Sequence, residues 1–149
     1  MKVIVDSREQ KPFTFGNYSD INLVNGTLQA GDYSIFGLES LVAIERKSLA
    51  DLVQCLGRDR ERFVRELERL RGYESAAVVV ESPLGDLVSG SYRSRLDPKA
   101  AYESCVAFMA RYKLPFYFAQ DRRGAERFTV SFLRHFKNDI ERRYKAVAA

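Results

Sequence analysis

Apolar and polar residues change rhythm several times along the 149-residue chain, and each rhythm predicts an element. Val3-Ile4-Val5 is a short apolar run closed by Asp6, which predicts a buried strand ending on a carboxylate. Residues 7–26 are polar and interrupted by Pro12, Gly16 and Asn25-Gly26, so they read mainly as loop and turn. Thr27–Ala30, Tyr33–Phe36 and Leu41–Arg46 predict strands of a hairpin or meander, with Gly37 between the last two. Ser48 is a good helix N-cap, and Asp51 resembles its capping-box partner. That helix should run to about Leu56 and stop at Gly57. A second helix is expected over Asp59–Arg71, a central strand over Ala76–Glu81 and a loop between Pro83 and Pro98. A helix over Lys99–Tyr112, a strand over Pro115–Ala119 and a long helix from about Gly124 to Tyr144 complete the chain. Strands alternating with helices predict an α/β fold, a mixed central sheet flanked by helices. The length suits one domain over residues 1–149.

Composition narrows the partners. Apolar residues make up 46% and charged residues 30%, an ordinary globular balance. The net charge of +4 is mildly basic, and Arg far outnumbers Lys. Arg pairs bidentately with phosphate and stacks on bases, which leans towards a nucleic-acid surface. Cys55 and Cys105 lie in no CxxC or Cys/His cluster, so they read as buried thiols rather than zinc ligands or a disulfide framework. No apolar run approaches the roughly 20 residues of a spanning helix. No leader pattern precedes the first strand. An intracellular, cytoplasmic protein without membrane contact is expected.

The candidate chemistry sits at Glu45-Arg46-Lys47, the end of a predicted strand. Alternation points Glu45 and Lys47 to one face and Arg46 to the other. A carboxylate and an ammonium side by side on an otherwise apolar strand have two readings. One is an exposed ion pair at a strand edge. The other is a metal ligand beside a group that holds or deprotonates the attacking water. Asp6 and Asp32 are two further carboxylates at predicted strand ends. Hard oxygen donors of this kind suit Mg²⁺ or Mn²⁺, which would activate water and stabilise charge on phosphorus.

Val5-Asp6-Ser7-Arg8-Glu9, Gly31-Asp32-Tyr33 and Glu45-Arg46-Lys47-Ser48 with Asp51 together resemble the nuclease domain of XPF/Hef-type structure-specific endonucleases. That family belongs to the restriction-endonuclease-like group with a PD-(D/E)xK core. The resemblance implies metal binding by Asp6, Asp32 and Glu45, with Lys47 catalytic. It implies supporting roles for Arg8, Glu9, Arg46 and Asp51, although Asp51 also reads as a plain helix-cap partner. The implied activity is divalent-metal-dependent DNA cleavage at branched, flap or fork structures, in repair or recombination. The alternatives are a catalytically silent DNA-binding or dimerisation module of the same fold, or a restriction or mismatch-repair type of nuclease. The intact acidic set and the Glu-Arg-Lys triplet speak against them. No helix-hairpin-helix module or helicase accompanies the motif, which suggests a small bacterial or phage-type protein.

Two surfaces extend this reading. At about 100° per residue, Arg58, Arg62, Arg65 and Arg69 fall on one helix face, opposite Phe63, Leu67 and Leu70. The alternatives for this ladder are contact with the DNA backbone or a solvated face balanced by Glu61, Glu66 and Glu68. Arg93 and Arg95, in a Ser/Gly/Tyr-rich loop, either wrap a nucleic-acid backbone or are ordinary loop residues. Phe128, Phe132 and Phe136 recur at four-residue steps on the last helix, extended by Leu133 and Ile140. Together with the preceding aromatic strand they pack the core or form a homodimer face, the role that the resemblance implies. His135, the one histidine, reads as a surface or interface residue.

Overall fold

The computed structural model describes residues 1–149 and is a six-stranded mixed sheet between helices. Strands β1 (Lys2–Asp6), β2 (Asn22–Gly26), β3 (Tyr33–Ile35), β4 (Val42–Lys47), β5 (Ser75–Val80) and β6 (Phe116–Phe118) lie in the order β2-β1-β3-β4-β5-β6. β3 is antiparallel to both neighbours, β1 and β4, and the other adjacent pairs are parallel. Helices α1 (Leu49–Leu56), α2 (Arg60–Arg71), α3 (Leu84–Val88), α4 (Pro98–Tyr112) and α5 (Arg122–Ala148) complete the chain.

The two faces of β4 and β5 divide the core. Ala43, Val78 and Val80 pack against Leu52 of α1, Phe63 and Leu67 of α2 and Phe108 of α4. Val42, Ile44, Ala77 and Val79 pack with Val3, Val5 and Tyr33 against Val130 and Leu133 of α5. Burial on both faces explains why Ala76 to Val80 is uninterruptedly apolar. Phe13 and Phe15 leave the β1–β2 connection to pack on Tyr33, with ring centroids 5.0 and 5.8 Å away. The Tyr33 hydroxyl also accepts the Phe13 amide at 2.8 Å.

Three expectations are corrected. Asn22–Gly26 is a strand, and Thr27–Ala30 is not. Thr27–Ala30 has the right alternation, since Leu28 and Ala30 are buried, but the Leu28 amide bonds the Asp6 carboxylate at 2.8 Å instead of a neighbouring strand. β2 is one of the two edge strands, and Asn22-Leu-Val-Asn-Gly has little apolar contrast to reveal it. Second, the segment between Pro83 and Pro98 contains the short helix α3. Third, α2 begins at Arg60, so Arg58 lies in the turn before it and outside the helical ladder.

Candidate active site

Backbone geometry brings Asp6, Asp32 and Glu45 to one end of the sheet. The Asp6 amide donates to the Asp32 carbonyl at 2.8 Å, and the Asp32 amide donates to the Ile44 carbonyl at 2.7 Å. Gly31 makes this approach possible. Its φ is +78°, and a Cβ there would stand 3.0 Å from the Ala43 Cβ and 3.1 Å from the Ile44 carbonyl oxygen. β3 begins only at Tyr33, so the Arg46 amide has no strand acceptor beyond it. The Asp32 carboxylate takes that place, with Oδ2 accepting the Arg46 N–H at 2.8 Å. One residue on, Glu45 and Lys47 share the face that β4 turns towards α1 and α2, as strand alternation predicts.

The charges in the resulting cleft do not balance. Lys47 Nζ stands 3.2 Å from Glu45 Oε1 and 3.6 Å from Glu66 Oε2, with the Phe63 ring 5.4 Å away. Glu66 Oε2 is buried and accepts no hydrogen bond. Burial, opposed by the Arg46 amide, pushes the Asp32 carboxyl up to about 6. Burial and the Asp32 charge push Glu45 up to about 8, against the pull of Lys47. Burial works against the Lys47 ammonium, but Glu45, Cys55 and Glu66 overcome it and hold its pKa above the ordinary value. Three carboxylates thus crowd one ammonium, and a further cation would relieve them.

Asp6 is held differently. Arg8 donates through Nε and its amide to Oδ1, both at 2.8 Å, and through Nη2 to Oδ2 at 2.9 Å. With the Leu28 amide also on Oδ2, every favourable acceptor direction of this carboxylate is taken. Arg8, against opposing burial, therefore brings the Asp6 carboxyl down to about 2. A group whose folded pKa is depressed stabilises the fold above its unfolded pKa, near 3.8, and loses that contribution as pH falls towards 2. The Arg8 side chain is 71% exposed, so solvent screens much of its share. Arg8→Gln is expected to lower unfolding stability modestly at pH 7, and by much less at pH 2.5. Urea unfolding curves at both pH values check this. Identical curves at pH 7 would reject it.

The donor set fits a hard divalent cation in part. Glu45 is buried and Asp32 half-buried, both carboxyls are pushed up, and Mg²⁺ takes one or two such ligands with water and phosphate filling the rest. No three Asp, Glu, His or Cys side chains converge to enclose a metal by themselves. Asp6 lines the same cleft as Asp32 and Glu45, but in this arrangement Arg8 occupies it.

The remaining expected residues separate clearly. Arg46 points to the opposite face of β4, where Glu9 accepts from it at 2.9 and 2.8 Å and Glu81 at 3.0 Å. Its guanidinium is held firmly charged, because these carboxylates outweigh burial. Ser48 Oγ accepts the Asp51 amide at 3.1 Å, so Asp51 serves the cap through its backbone while its exposed carboxylate lines the cleft. Arg62 and Arg69 line the cleft wall, and Arg62 also pairs with Asp59 at 3.5 Å. Arg58, Arg65, Arg93 and Arg95 are exposed and do not line it. Cys55 and Cys105 are buried free thiols, and Cys55 reaches the Lys47 end of the cleft.

Sequence reasoning missed Glu66, Glu81 and Arg122. Glu66 reads as a glutamate flanking an arginine ladder, and only the tertiary packing of α2 brings it to Lys47. Glu81 had a visible signal. It is a charge closing an apolar strand that runs parallel to β4, one residue past the end of β5.

On the far side, Tyr117 of β6 stacks on Phe128 at 4.2 Å, and Phe132 lies 5.7 Å further along α5. Tyr117 is 48% exposed. Leu133 and Phe136 are buried in the core, while Phe132 and the exposed His135 line a shallow groove. No helix is long and apolar enough to cross a membrane.

Residues 5–132 match the ERCC4 domain family. No curated protein sequence matches the chain. Among solved structures, XPF from Aeropyrum pernix is similar with a TM-score of 0.71 and 24% identity, over 90% of this chain and 60% of that one. XPF from Aeropyrum pernix in complex with DNA gives a TM-score of 0.68 and 22% identity, over 93% of this chain and 66% of that one. The chain thus spans about three-fifths to two-thirds of the XPF chains whose fold it shares.

Proposed function

The chain belongs to the ERCC4 domain family, and on that premise we propose that it is a divalent-metal-dependent endodeoxyribonuclease. The observation that carries this reading is the pair of carboxyls held above their ordinary pKa, buried Glu45 and half-buried Asp32, beside a lysine held as ammonium. Asp32 and Glu45 would hold Mg²⁺ or Mn²⁺, with Asp6 available as a further ligand once Arg8 releases it. Bound there, the cation would supply Lewis-acid stabilisation of charge on the scissile phosphate.

The chain's own residues do the rest. The Arg46 amide fixes the rotation of the Asp32 carboxylate. Lys47, pinned between Glu45 and Glu66, presents N–H donors to the attacking water or a phosphoryl oxygen, and its raised pKa makes it a donor rather than a base. Arg62 and Arg69 on the α2 wall meet the phosphate backbone, with Arg58, Arg65, Arg93 and Arg95 as outlying contacts. DNA is the proposed partner, in keeping with the DNA complex of the structurally similar XPF. The exposed Tyr117–Phe128–Phe132 face of β6 and α5 is proposed to pair two copies of the chain. Branched, flap or fork DNA as substrate, repair or recombination as the process, one nuclease unit over residues 1–149, and a cytoplasmic, bacterial or phage-type setting complete the proposal.

The test is a cleavage assay with Mn²⁺ on linear duplex, single strand, 3′ flap, fork and four-way junction, each repeated in EDTA. Metal-dependent strand scission, fastest on a branched substrate, is the expected result. Cleavage undiminished in EDTA would refute the metal site. DNA binding without cleavage of any substrate would make the chain a silent module of this fold.

A further inference from the structure

On the face of β4 opposite Glu45 and Lys47, four charges close a ring, and three of them, Glu9, Arg46 and Glu81, line the same cleft as Asp32. Glu9 takes two hydrogen bonds from Arg46, Arg46 donates to Glu81 Oε1 at 3.0 Å, and Arg122 donates to the same oxygen at 2.8 Å. Arg122 then returns to the turn that carries Glu9. Its Nη2 donates to the Lys11 and Pro12 carbonyls at 2.7 and 2.9 Å, and the Lys11 amide donates to Glu9 Oε1 at 3.0 Å. The guanidinium also lies 4.9 Å from the Phe13 ring. Signs alternate around the ring, and the Arg46, Glu9 and Glu81 side chains are nearly enclosed. Arg122 is the first residue of α5, so the ring fastens that helix to the end of β4.

Within that cleft one backbone hydrogen bond ties the ring to Asp32. Arg46 is the ring's central member, and the Arg46 backbone N–H is the donor that holds Asp32 Oδ2. Anything that fixes the Arg46 side chain on one face therefore fixes the amide that aims Asp32 on the other. We propose that Arg122 is a positioning residue, which acts through Glu81 and Arg46 to hold the Asp32 carboxylate in place. This rests on the nuclease reading for its consequence in catalysis, but not for its geometry. Lys in place of Arg122 keeps the charge yet has no planar fork to span Glu81 and two carbonyls at once, so it would restore the ring only partly.

Amide hydrogen exchange separates positioning from general stability, because it reads each N–H by itself. In Arg122→Gln, the Arg46 amide is expected to exchange about tenfold faster or more, with Arg122→Lys intermediate, while the Ile44 and Val79 amides keep their protection. Steady-state cleavage with Mn²⁺ should then show kcat reduced about tenfold at unchanged KM for DNA, and partial rescue by Arg122→Lys. Arg46 exchange equal to that of the unsubstituted protein overturns the proposal. So does a uniform rise across β4 and β5, which marks a merely structural role, or an unchanged kcat in an active enzyme. If the unsubstituted protein cleaves no DNA, the nuclease reading fails, and exchange at Arg46 still decides the positioning role.

Discussion

Lys47→Ala is expected to reduce DNA cleavage by about 10³-fold or more while leaving DNA affinity within about threefold. The first figure follows from what the ammonium does in the cleft. Lys47 is the one cation directly between Glu45 and Glu66, and its ammonium lies 5.4 Å from the Phe63 ring, so its position is set by two carboxylates and an aromatic face. Donors fixed in this way stabilise charge where it develops without having to reorganise, and removing one costs hundreds- to thousands-fold. The second figure follows from where DNA is proposed to bind. The phosphate contacts are assigned to arginines such as Arg62 and Arg69 on α2, which this change leaves in place. Lys47→Ala also leaves two carboxylates without their counter-charge, and removing one partner of a buried pair destabilises by several kcal/mol unless the other partner takes up a proton. Glu45, already pushed up to about 8, does so readily, so the fold should persist. Lys47→Met keeps an unbranched side chain of similar length and removes the charge and its N–H donors. If both variants fold, bind DNA and cleave within tenfold of the unsubstituted protein, Lys47 has no chemical role.

Much of this site was legible in the sequence, and the illegible part has a physical reason. Strand alternation is a local property, so the facing of Glu45 and Lys47 away from Arg46 followed from their spacing. Asp32 was legible as a carboxylate at a strand end, and the close approach of β4 shows why glycine precedes it. The α/β class and five of the six strands followed from runs of apolar residues. Thr27–Ala30 misled because alternation reports which side chains are buried, not which backbone groups pair, and there a carboxylate took the place of a strand. The partners of charged residues were least legible. Arg8 lies two residues from Asp6 and reads as support for a ligand, but its full occupancy of that carboxylate depends on the turn after β1. Arg122 is more than 100 residues from the Pro12 carbonyl it binds, and no periodicity encodes such a pair.

The metal-free protein is expected to lose stability as pH rises through the neutral range, and divalent metal to restore it most where the loss is greatest. The sign follows from the raised carboxyls. Asp32 moves from 3.8 to about 6 and Glu45 from 4.5 to about 8. The folded state therefore keeps protons that the unfolded chain has already released, and stability falls wherever that holds, from about pH 4 to pH 8. Other shifted groups do not cancel it in the upper part of that window. The stabilisation from Asp6 and Glu9, whose carboxyls are depressed, is complete before pH 5.5, and Lys47 keeps its proton throughout. Between pH 5.5 and 8 the loss from the two coupled carboxyls together is on the order of a few kcal/mol. A cation between Asp32 and Glu45 needs both groups ionised, so its affinity should climb over the same interval. Mn²⁺ at a hundred times its dissociation constant would then add about 2.7 kcal/mol at pH 8, and far less at pH 5.5 with the same concentration. Thermal unfolding at the two pH values, with and without Mn²⁺, measures both effects. Glu45→Gln should flatten the metal-free pH dependence above pH 6 and remove the metal response together. Asp32→Asn should remove the metal response while the Asn carbonyl still accepts the Arg46 amide. A metal response of equal size in either variant would place the cation elsewhere, because neither amide can supply the charge that draws it to this cleft.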